Sequence, residues 1–94
     1  MRIEITKTMV EHKKEAIDKV NALAGDKILV KYPFYLQHNL GRDITSEEAI
    51  TMFSYIDTIR NIANITKANI DIASNISELK AYLLQYNLLL DGIL

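Results

Sequence analysis

Apolar side chains recur every three or four residues along most of this chain, and the interruptions fall where helices start and stop. Thr8-Met9-Val10-Glu11 has capping-box form: a hydroxyl placed to accept the third helical N–H, and a carboxylate able to reach back to the cap. Behind it Val10, Ile17, Val20 and Ala24 form one stripe with Ala16 and Leu23 beside it, and Glu11, Lys14, Glu15, Asp18 and Lys19 form the opposite face. Gly25 is suited to ending such a helix, so the first is expected over about 8–24. Ile28-Leu29-Val30 fits a short strand, a buried connector or an extra helical turn, and Ile3 and Ile5 could supply a second strand. Pro33 suits a first helical turn and drives Tyr32 toward extended backbone. A short helix over about 33–40, closed by Gly41, follows.

The longest periodic segment begins at Thr45-Ser46-Glu47-Glu48, with Thr45 the expected cap and Glu48 the third helical residue. No Gly or Pro interrupts it before Ser74. At ~1.5 Å per residue it is on the order of 40 Å long. Met52, Ile56, Ile59, Ala63, Thr66, Ile70 and Ala73 hold a 4-3 spacing, and Ile62, Ile65, Ile72 and Ile76 form a second stripe alongside. Two stripes call for packing partners on two sides. Asn75 then caps a fourth helix with Glu78 in the reciprocal position, and residues 76–90 are apolar most of the way round. The pattern predicts one all-α domain spanning 1–94. Its long central helix (about 45–74) packs on an antiparallel C-terminal helix and on the N-terminal helix, as a small helical bundle.

Composition supports a core: apolar residues make up 49% of the chain, with fourteen Ile and eleven Leu. Residues 1–48 carry eight basic and eight acidic side chains, whereas residues 49–94 carry three and four. The second half therefore has little charge to coat a solvent-facing surface. A homo-oligomer burying part of 79–94, through Tyr82, Leu83, Tyr86 and Leu90, is the expected answer. A net charge of -1 with no basic stripe argues against gripping nucleic-acid phosphates. The most apolar stretch, 81–94, is broken by Gln85, Asn87 and Asp91-Gly92 and is too short for a membrane span. No apolar run follows Met1, so synthesis in the cytoplasm is expected, without a membrane partner.

Candidate chemistry is sparse. There is no Cys, and His12 and His38 lack metal-ligand spacing, so neither a metal nor a cofactor is expected. Glu47-Glu48 are explained by helix capping, and Asp57 and Asp71 by a solvated stripe. The serines have no Gly-rich elbow, and Gly25, Gly41 and Gly92 are too dispersed for a phosphate loop. Catalysis is not expected; the rival is a site assembled from Asp57, Arg60, Asn64 and His38. Arg60 and Asn64, one turn apart, are candidates for polar contacts across a helix seam or to a partner. Gln37 and Asn39 are candidates for locking the short helix onto the long one, or for a recognition patch with Tyr32 and Tyr35.

Three ordered segments carry a resemblance. Tyr32-Pro33-Phe34-Tyr35-Leu36-Gln37-His38-Asn39 reads as Tyr-Pro-x-aromatic-x-Gln-x-Asn, and Ile56-Asp57-Thr58-Ile59-Arg60 is followed at Asn64 by an Asn. Ile70-Asp71-Ile72-Ala73 then leads to Glu78-Leu79. In this order they resemble a small helical domain of phage and prophage tail-associated proteins, over roughly half the chain. The resemblance implies a non-catalytic protein acting by protein–protein contact in the tail or its assembly. Such a protein is made in the host cytoplasm and can be carried in the virion. The alternative is a phage-encoded inhibitor of a host enzyme or defence component. The family's helical segment often ends a longer polypeptide, and its pattern is more aromatic where this chain has Phe53-Ser54-Tyr55. With Met1 close before the matched region, a free-standing small protein is expected rather than a tail fibre.

Overall fold

The computed structural model describes residues 8–93, which form four helices and no strand. They are α1 (Met9–Lys31), α2 (Phe34–Leu40), α3 (Glu47–Ile72) and α4 (Ile76–Asp91). The ribbon considered for Ile3 and Ile5 lies outside the described residues.

α1 starts as its sequence dictates, Thr8 Oγ1 accepting the Glu11 N–H at 3.2 Å. It does not stop at Gly25. The buried row Ala16, Val20, Ala24 and Ile28 runs straight through that glycine, and burying Ile28 against α3 outweighs the ~1 kcal/mol that a helical Gly costs relative to Ala. Ile28-Leu29-Val30 is thus the last helical turn. Pro33 ends the helix by holding Tyr32 at φ -128°, ψ 80°. Val10, expected in the stripe, is 77% exposed, because the first turn of α1 directs Met9 rather than Val10 toward the core.

The α3 cap falls one residue later than expected. Thr45 is taken by the preceding turn: its hydroxyl and its N–H both donate to Asp43 Oδ1, at 2.6 and 3.1 Å. Ser46 is left to accept the Ala49 N–H at 3.1 Å. The two Thr45 donations hold the Asp43 carboxyl below its ordinary 3.8. At the other end Ala73 turns to extended backbone, and Asn75 Oδ1 accepts the Glu78 N–H at 2.9 Å. Glu78 reaches back, but to the Ser74 N–H (2.8 Å) rather than to that of Asn75.

α1, α3 and α4 form an antiparallel three-helix bundle. Tyr55 of α3 lies beside Lys27, and Asp71 beside Lys13, which fixes the opposed directions of α1 and α3. Met52, Ile56, Ile59, Ala63, Thr66, Ile70 and Ala73 are all buried. Thr66 satisfies its hydroxyl on the Ile62 carbonyl one turn back. The second stripe divides: Ile62 and Ile76 are half-buried, while Ile65 and Ile72 are 64% and 73% exposed. α2 packs across the first turns of α3 at the end of the bundle that α4 does not reach.

Candidate functional site

Polar candidates on α2 split between scaffold and surface. Gln37 donates from Nε2 to the Tyr32 carbonyl at 2.7 Å, closing the corner between α1 and α2. Tyr32 is buried there and meets the Tyr55 ring edge-on, with centroids 5.5 Å apart. Lys31 lays its ammonium 4.5 Å from the Tyr55 ring centre. Burial, with the neighbouring Tyr32, raises the Tyr55 hydroxyl above its ordinary 10.0. Phe34, Tyr35 and Asn39 turn the other way, toward solvent. The patch of Tyr32, Tyr35, Gln37 and Asn39 therefore does not form one surface.

Arg60 and Asn64 are exposed along the α1–α3 seam. With Asn21, Ala24, Gly25, Ile28, Ala63 and Lys67 they line a shallow depression of about 380 Å³. The absence of a side chain at Gly25 helps to open it. Asp57 and His38 are not part of that depression; His38 sits on α2 with its Nε2 3.5 Å from Arg42. The four residues of the rival catalytic site are thus not gathered in one pocket. Among the described residues no three His, Cys, Asp or Glu side chains are placed to share a metal ion.

α4 sorts its many apolar side chains by direction. Leu79, Tyr86 and Leu90 are buried, and Tyr82 and Leu83 are half-buried against the same core. Tyr86 is fully enclosed and donates its hydroxyl to the Val20 carbonyl at 2.8 Å, tying α4 to α1. Burial raises that hydroxyl above its ordinary 10.0. Two of the residues expected at an interface, Tyr86 and Leu90, are thus packed into the protomer interior. Exposed instead are Leu84 (62%), Leu88 (65%) and Leu89 (46%). Nothing in the sequence marked them, since apolar residues on both faces leave the periodicity without a preferred side. Between α1, Tyr55 and the end of α4 lies a wider depression, about 570 Å³, rimmed by Asp26, Lys27 and Asp91.

Comparison with family models, curated proteins and solved structures finds no match. No helix of the described residues is long and apolar enough to cross a membrane.

Proposed function

We propose that this chain is a phage or prophage protein that acts by protein–protein contact, in the tail or during its assembly, without chemistry of its own. The observation that carries the contact role is the exposed apolar surface of the second half. Ile65, Ile72, Leu84, Leu88 and Leu89 stand in solvent where the chain has few charges to accompany them. Exposed apolar side chains of this size are the kind of surface at which proteins bind partners. The phage origin rests on the order of the segments from Tyr32 to Leu79, whose Tyr-Pro corner and Ile-Asp-x-Ile-Arg helix resemble the tail-associated domain. A homo-oligomer with a further phage or host protein as partner fits the same surface; nucleic acid, membrane and cofactor have no place in this reading.

The test combines the gene's neighbours with the fate of its product. Adjacent tail or baseplate genes, and the protein retained in purified particles, are expected. A position among early genes, with the protein absent from particles and bound to a host enzyme, would transfer the reading to an inhibitor. A housekeeping operon without phage genes would remove it.

A further inference from the structure

The back of α4 carries a pattern that the protomer does not use. Ser77, Ala81, Leu84 and Leu88 follow a 4-3 spacing along one exposed line, opposite the buried Leu79, Tyr86 and Leu90. The charges beside this line are Lys80 near the start of the helix and Asp91 at its end. Eleven residues make three helical turns, so both lie along the same edge of the stripe, roughly 16 Å apart and out of each other's reach. Neither has an ion pair among the described residues. Asp91 also stands at the negative end of the α4 dipole, and the last turn holds no basic residue to offset it.

We propose that α4 pairs with α4 of a second copy of this chain, antiparallel about a two-fold axis at the height of residues 85–86. Antiparallel pairing sets like edge against like edge. Leu84 then meets Leu88 of the second copy, and Lys80 meets Asp91 of the second copy, twice by symmetry. Each contact brings Asp91 a cation that α4's own last turn does not supply, beside Lys27 of α1 on the rim of the same depression. Parallel pairing would instead set this edge against the opposite edge of the second copy, leaving Lys80 and Asp91 unpaired, so only the antiparallel orientation joins the two charges. A pair of sixteen-residue helices buries on the order of 1,000 Å² in total, the lower end for a specific interface. A weak dimer, with a micromolar dissociation constant, is the expected outcome. This inference stands apart from the phage reading and holds or fails without it.

Sedimentation equilibrium on the full chain tests it. At ~100 µM, well above a micromolar dissociation constant, the unaltered chain is expected to be dimeric. Leu84→Glu with Leu88→Glu is expected to give a monomer of unchanged helicity. Lys80→Glu and Asp91→Lys should each raise the dissociation constant about tenfold, because each sets two like-charge pairs across the axis. Mixed one to one, these two variants should recover the original affinity, since both cross-axis pairs are then opposite in charge. A monomeric unaltered chain, a dimer that survives both leucine substitutions, or a mixture no tighter than its parents would each overturn the proposal. If the leucine variant loses helicity, the mixing experiment decides alone.

Discussion

Tyr86 is the side chain on which the packing of α4 turns. Its ring is enclosed by the core and its hydroxyl is bonded to Val20, so it supplies both apolar burial and the one polar direction that fixes how α4 rotates against α1. Tyr86→Phe removes only the hydrogen bond, because the Val20 carbonyl remains within α1; a loss of about 1 kcal/mol in urea unfolding is expected. Tyr86→Ala leaves a cavity as well, and about 3–5 kcal/mol should be lost. The buried phenol also sets a pH limit. The folded chain holds this proton more tightly than the unfolded chain, so its contribution is complete below the ordinary value of 10.0 and is lost as pH rises through the higher folded value. Unfolding midpoints followed from pH 8 toward 11 should fall less steeply in Tyr86→Phe; an identical slope would show that Tyr86 is not the group responsible.

Element boundaries rest on a few local choices that can be exchanged one at a time. Ser46, not Thr45, caps α3, so Ser46→Ala should cost about 1 kcal/mol by loss of the bond to the Ala49 N–H. Thr45→Ala should act through Asp43 instead, letting that carboxyl return toward its ordinary value in an NMR titration. The glycines make a sharper pair. Gly25 is helical without positive φ, and a Cβ there would have nothing within 4 Å. Gly25→Ala should therefore raise stability by roughly 0.4–1 kcal/mol. At Gly41 the added Cβ would come to 2.9 Å of the Gln37 carbonyl oxygen, which is backbone and cannot swing away. Gly41→Ala should lower the melting temperature. Equal effects at the two sites would mean that helix propensity alone governs both.

At the scale of the whole molecule the core is narrow, a single row from each of α1, α3 and α4 with α2 laid over one end. A domain of 94 residues has a small core, so the proposed association would contribute visibly to stability. If the second copy binds only folded α4, the thermal midpoint rises with protein concentration. Calorimetry at ~10 µM and ~200 µM should show the midpoint of the unaltered chain rising with concentration, but not that of the Leu84→Glu/Leu88→Glu variant. A midpoint independent of concentration would place the stability within the protomer.

By itself the sequence determined the helical class, three of the four helices to within a few residues, and the buried row from Met52 to Ala73, though not Ala49 at its start. That row was legible because its 4-3 spacing runs unbroken over six intervals, whereas the second stripe beside it divided between core and solvent. Tertiary structure decided the rest. Gly25 was a reasonable stop on local grounds, and only the contact of Ile28 with the core carried α1 past it. Thr45 and Ser46 were equivalent caps until Asp43 engaged the first of them. On α4 the pattern was apolar nearly all round, so no periodicity could tell Tyr86 and Leu90 from Leu84 and Leu88. The hydrophobic effect has no direction of its own; it was the fit of α4 against α1 and α3, fixed by the Tyr86 hydroxyl on Val20, that chose which leucines went inside.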